Sequence, residues 1–168
     1  MLTLLAKLFK ALNSESSPGQ IALAFSLAVI VGLTPFTSLH NILVLLLAFI
    51  LRVNLSAFFL AVAVFSGVGY LIDPMSVQLG ETILQSPALY DSWTELYQND
   101  LWRMMAFNNT LVMGGFTLAM IAFIPVLVVS RLLIVMYRDK LLAWVNKLKI
   151  VQALKAGKFY NIYQSLAD

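Results

Sequence analysis

His40 is the only histidine in the chain, and no cysteine accompanies it. Any imidazole metal site, nucleophile–base dyad or proton relay would have to pass through this one residue. It lies in a polar junction, Gly32-Leu33-Thr34-Pro35-Phe36-Thr37-Ser38-Leu39-His40-Asn41, set between two apolar runs. A catalytic triad needs three groups converging within hydrogen-bond reach. Ser38 stands two residues from His40, a spacing that does not share a helical face, and the few carboxylates lie elsewhere. The pattern therefore argues against an enzyme and offers no metal or cofactor ligand set. Two readings of Thr34, Pro35, Thr37, Ser38, His40 and Asn41 remain. In the structural one, Thr37 or Ser38 caps a helix start while His40 and Asn41 satisfy backbone opened at Pro35. In the binding one, the free amides and positive dipole end of that helix receive a lipid head group or an ion.

The elements that must carry this junction are apolar. The 168 residues are 61% hydrophobic and 11% charged, with a mean hydropathy of +0.88, whereas soluble domains carry roughly a quarter charged residues. Such a composition belongs to a bilayer. A net charge of +3 would suit nucleic acid, but the basic residues lie at the two ends beside apolar sequence, as cytoplasmic flanks do. Pro35 lacks an amide donor and pushes Thr34 out of helical geometry, so the rod must break there. Irregular backbone at membrane depth survives only when buried in protein or lining a wet cavity. The expected fold is all-α: a polytopic membrane protein forming one domain over residues 1–168.

Residues 1–17 predict an interfacial helix, with Lys7 and Lys10 facing water and no cleavable leader. Residues 18–54 predict the broken hairpin, opened by a serine cap and Pro18. Residues 55–72 predict a span ended sharply at Asp73-Pro74. Residues 73–109 predict short amphipathic periplasmic helices, with Trp93, Tyr97, Trp102 and Phe107 near the membrane boundary. Residues 110–137 predict a second span, kinked at Pro125 and capped by Asn108 or Asn109. Residues 138–168 predict a basic surface helix, with Lys140, Lys147, Lys149, Lys155 and Lys158 on anionic lipid. Ala24, Ala28 and Gly32, and separately Gly115 and Ala119, form small-residue stripes suited to a partner's membrane helix.

The distribution of positive charge places both termini and Arg52 in the cytoplasm and requires an even number of crossings. Four crossings satisfy this, and so does a re-entrant hairpin over 21–51 followed by two spans. The shortness of both hairpin limbs favours the second.

Gly32-Leu33-Thr34-Pro35-Phe36, Ser38-Leu39-His40-Asn41 and Arg52-Val53-Asn54-Leu55 resemble a bacterial inner-membrane family of unknown activity, domain of unknown function two thousand and sixty-two. Phe107-Asn108-Asn109-Thr110, Ser130-Arg131 and Lys158-Phe159-Tyr160 extend the likeness to a short stand-alone branch. That branch is similar to proteins encoded beside a much larger envelope protein in bacteria with an outer membrane. The resemblance implies an inner-membrane subunit that partners and anchors such a protein, in lipid transport between the membranes. The alternative is a small lipid translocase acting alone, with the broken hairpin as its substrate site. Membrane lipids are an expected partner in either case, and nucleic acid is not.

Overall fold

The computed structural model describes residues 16–141, and every regular element among them is helical. Helix α1 (Pro18–Gly32) begins as the sequence predicts. Ser17 Oγ accepts from the Gln20 amide at 3.2 Å while Gln20 Oε1 accepts from the Ser17 amide at 2.9 Å, with Pro18 in the first turn. This reciprocal cap satisfies two of the open donors at a helix start. Ten of the fifteen residues of α1 are buried. A helix apolar all round belongs in the middle of a bundle, and α1 is the central strut of this one.

After the elbow at Leu33–Ser38, α2 (Leu39–Ile50) buries one stripe only: His40, Asn41, Val44 and Ala48. Its other side exposes Ile42, Leu43, Leu46, Leu47 and Ile50. The helix closes on paired bonds from Arg52 N–H to the Phe49 carbonyl (3.1 Å) and from Val53 N–H to the Ala48 carbonyl (3.2 Å). Arg52 supplies the left-handed residue that this closure requires, at φ 50°. Asn54 then caps α3 by accepting from the Ala57 amide at 2.8 Å, and its own amide donates to Ser16 Oγ at 3.0 Å. The start of α1 is thereby tied to the α2–α3 turn.

Helix α3 (Leu55–Leu84) does not stop at Asp73-Pro74 as its sequence predicts; it runs through Pro74 for ten further residues. A proline inside a helix removes one amide donor and crowds the preceding turn, at about 3 kcal/mol. Tertiary packing prevails here, because Ser76 and Gly80, on the far side of Pro74, are buried against the last long helix. The boundary expected between 55–72 and 73–109 is accordingly displaced to Leu84. A 3-10 turn (Pro87–Leu89), α4 (Tyr90–Tyr97) and α5 (Asp100–Met104) follow, and none of the three buries a residue. The Trp93 indole N–H donates to the Ile83 carbonyl at 3.2 Å, and Arg103 pairs with Asp100 on α5. Ala106 adopts φ 55° in the turn before α6 (Thr110–Met136), which Asn109 caps by accepting from Leu111 (2.9 Å) and Val112 (3.3 Å) amides. The helix continues through Pro125.

Two compact units divide at Arg131. The described part of the second holds the end of α6 and a π-helical turn, Tyr137–Leu141. The surface helices expected at 1–17 and 138–168, with Lys7, Lys10, Lys147, Lys149, Lys155 and Lys158, otherwise lie outside the described residues, and so does the Lys140 side chain.

Among the described residues two helices are long and apolar enough to cross a membrane: α3, and the stretch Thr110–Asp139 that contains α6. At 1.5 Å per residue, α1 and α2 reach about 22 and 18 Å, short of a hydrocarbon core of about 30 Å.

Candidate functional site: the elbow at Pro35

The helix breaks where the sequence places the break, and its polar groups turn inward. Thr34, Ser38, His40 and Asn41 are 4–8% exposed, whereas Phe36 is 77% exposed and Thr37 lies open beside it. The inward side closes through backbone contact between helices. A Cβ placed on Gly69 of α3 would sit 2.5 Å from the Gly32 carbonyl oxygen, and one on Gly115 of α6 would sit 2.2 Å from the Leu33 carbonyl oxygen. Only hydrogen at these positions lets α3 and α6 close on the end of α1. Farther along, Gly114 and Gly80 join α6 to α3 in the same way, the first against the Ser76 carbonyl and the second against that of Thr110.

Within this clasp Asn41 mends the break. Its Nδ2 donates to the Pro35 carbonyl at 3.0 Å and reaches the Phe36 carbonyl at 3.4 Å, and the Pro35 carbonyl also accepts from the Ser38 amide at 2.9 Å. Thr34 closes the end of α1 by donating to the Ile30 carbonyl at 2.7 Å. With its proton committed there, Thr34 Oγ1 is an acceptor for His40 Nε2–H at 3.1 Å. The same proton cannot also serve Asn41 Oδ1, 3.2 Å away. His40 Nδ1 is buried with no hydrogen-bond partner among the described residues. The ring is held by aromatic faces instead, stacked on Phe107 (5.9 Å between centroids, 12°) and edge-on to Phe116 (5.3 Å, 69°).

Ser38 holds the cap position of α2, but its hydroxyl makes no capping bond. The first turn is closed by backbone alone, Asn41 N–H to the Ser38 carbonyl at 3.0 Å. The expected side-chain cap from Ser38 is therefore not made, and Asn41 acts on the other side of the break, donating to the carbonyls that precede α2. The small-residue stripes face the interior of this chain. Ala24, Ala28 and Ala119 are fully buried and Gly32 and Gly115 are buried within this chain, so none of the five is open to a partner's helix. Sequence reasoning missed Gly69, Gly80, Gly114 and Phe116, and it placed Phe107 at the membrane boundary without joining it to His40. The Gly114-Gly115 pair inside an otherwise bulky apolar helix was the one available signal.

No group of three or more His, Cys, Asp or Glu side chains suited to a metal occurs among the described residues. The elbow holds a polar hydrogen-bonded knot inside apolar surroundings, and in its one hydroxyl–imidazole pair, Thr34 with His40, the hydroxyl proton is given to the Ile30 carbonyl.

Comparisons with known proteins agree on the class of chain. It is 28% identical to an uncharacterised protein of Treponema pallidum (strain Nichols) over 141 residues, covering 84% of this chain and 87% of the relative. No solved structure matches it. The model of a family described as "Uncharacterized protein conserved in bacteria (DUF2062)" matches residues 3–142, and the chain belongs to that family.

Proposed function

We propose that this protein is a multi-pass inner-membrane subunit, both termini cytoplasmic, that partners and anchors a larger cell-envelope protein serving lipid transport between inner and outer membranes. The observation that carries the membrane part is the inversion of the molecule. Four of the seven buried polar residues among those described, Thr34, Ser38, His40 and Asn41, gather at the elbow, while α2, α3 and α6 present large apolar side chains outward, among them Ile42, Phe49, Leu71, Ile121 and Leu132. Such a surface asks for lipid or for another apolar chain. The short limbs of the hairpin support a re-entrant arrangement over 21–51, entering and leaving on the cytoplasmic side. Ready labelling of a Thr37→Cys variant from the periplasm by an impermeant reagent would exclude it.

The subunit part rests on the likeness to chains encoded beside a large envelope protein. Because the small-residue stripes are occupied from within, the partner's contact falls on the bulky outer faces rather than on Ala24, Ala28, Gly32, Gly115 or Ala119. Purification in mild detergent should bring down a large companion in stoichiometric amount. Recovery of the protein always alone, or as a homo-oligomer, would count against this reading.

A second reading, a lipid translocase acting alone, draws on one observation. A groove of about 220 Å³ runs between α1, α2 and α3, lined by Val31, Phe36, Ile42 and Phe58, with Asn41 as its polar group. Flux from liposomes holding the isolated protein, lost on altering Thr34 to Asn41, would favour it.

A further inference from the structure

The four aromatic residues that the sequence places near the membrane boundary lie together around one pocket. Trp93, Tyr97, Trp102 and Phe107 converge, with Leu84, Leu96, Asn108, Met113 and Phe116, around a cavity of about 240 Å³. The wall is mostly apolar; its polar groups are the Asn108 side chain, the Tyr97 hydroxyl and the Trp102 indole N–H, while the Trp93 indole N–H is already given to the Ile83 carbonyl. A cavity of about 150 Å³ walled by apolar side chains stays dry and takes up benzene. By that measure this one holds about ten carbons, the terminal part of an alkyl chain rather than a whole lipid.

We propose that the cavity seats one acyl chain of a membrane lipid with a zwitterionic head group. The inference rests on the membrane reading above and names a site within it. The cavity lies at the end of α3, marked by Leu84, and the beginning of α6, marked by Met113 and Phe116. These are the ends of the two helices able to span a bilayer, which at about 45 Å reach its head-group layers, so a lipid seated with its head at that boundary is the occupant closest at hand. Exposed Leu101 and Met104 of α5, 69% and 65% accessible, continue the apolar surface beside it. The covering segment also carries charge: Asp91, Glu95 and Asp100 against Arg103, which pairs with Asp100. Helix α4, about 12 Å long, keeps Asp91 and Glu95 within roughly a Debye length of the cavity at 0.1 M salt. Their field disfavours an anionic head group by about twofold. Phe107 and Phe116 form the inner wall and bear on His40 with their other sides, so an occupied cavity also braces the elbow.

Brominated acyl chains test this, because bromine quenches tryptophan on contact. Trp144 is the third tryptophan in the sequence, and a Trp144→Phe background leaves Trp93 and Trp102 as reporters. The full-length protein in mild detergent is titrated with dibromo-phosphatidylcholine, then with dibromo-phosphatidylglycerol. The expected result is saturating quenching at one lipid per chain, with the choline lipid bound about twofold more tightly. It should be abolished by Leu84→Phe or Leu96→Phe, either of which fills the cavity; using both guards against one variant failing to fold. Quenching that rises without saturation, or survives in both folded variants, would overturn the site. Protection of the tryptophans only by a co-purifying protein would overturn it too and assign the cavity to a partner's side chain. Alkaline carbonate extraction separates the two levels: release from membranes defeats the membrane reading itself, whereas retention without saturable quenching defeats only the cavity.

Discussion

The elbow and the α4–α5 segment are both polar interruptions between apolar helices, yet they are built in opposite ways. At the elbow the chain is short, the polar atoms are buried, and three helices close on it through glycine so that backbone meets backbone. In α4–α5 no residue is buried, and the segment is held by side chains: one indole bond to the Ile83 carbonyl and an aromatic wall around a void. The difference teaches where each region can tolerate change. Contacts made by backbone cannot move aside, whereas contacts made by the far ends of side chains can be rebuilt.

Substitutions can break that contrast, and the largest effect belongs to the clasp. A Cβ on Gly114 would lie 1.7 Å from the Ser76 carbonyl oxygen, so Gly114→Ala should destabilise at the upper end of overpacking, about 3 kcal/mol or more. The check is loss of folded, detergent-soluble protein. Next comes Asn41→Ala, which takes the side-chain donor from the Phe36 carbonyl and one of two donors from the Pro35 carbonyl, leaving the latter its bond from the Ser38 amide. Losing these bonds should cost about 1–2 kcal/mol, read as a lower thermal midpoint in detergent. Loss of function at normal abundance in Asn41→Ala or His40→Ala would instead support a binding role for the elbow.

The α4–α5 segment should respond more mildly. Trp93→Phe keeps a ring in the cavity wall and removes only the bond to Ile83, a change of about 1 kcal/mol measurable by denaturant titration. The smallest effect sharpens the contrast within one helix. Gly67 of α3 has nothing within 4 Å of a Cβ, so Gly67→Ala should raise stability by about 0.5–1 kcal/mol through helix propensity. Two residues on, Gly69→Ala meets the Gly32 carbonyl and should do the reverse.

The legible parts of this fold were those decided by local chemistry. Pro35 removes a donor wherever it stands, Ser17-Pro18 starts α1, and Asn109 caps α6, so these points could be read one residue at a time. Pro74 misled because its breaking tendency is local while the packing of Ser76 and Gly80 against α6 is not. The small-residue stripes were read correctly as surfaces of close approach, but the sequence does not say whose helix approaches. Asn41 could be named as a mender of the break; that Phe107 and Phe116 would cover His40 could not, since these rings arrive from more than sixty positions away and their approach depends on the turn at Ala106.

The most direct measurement is a crystal structure grown from a lipidic phase, with ordered lipid visible around the protein. This account predicts a chain that leaves helical geometry between Gly32 and Leu39, the rings of Phe107 and Phe116 lying on His40, and no acyl chain touching Thr34 or Asn41. A helix continuing straight through Pro35, or hydrocarbon packed directly against those two side chains, would contradict it.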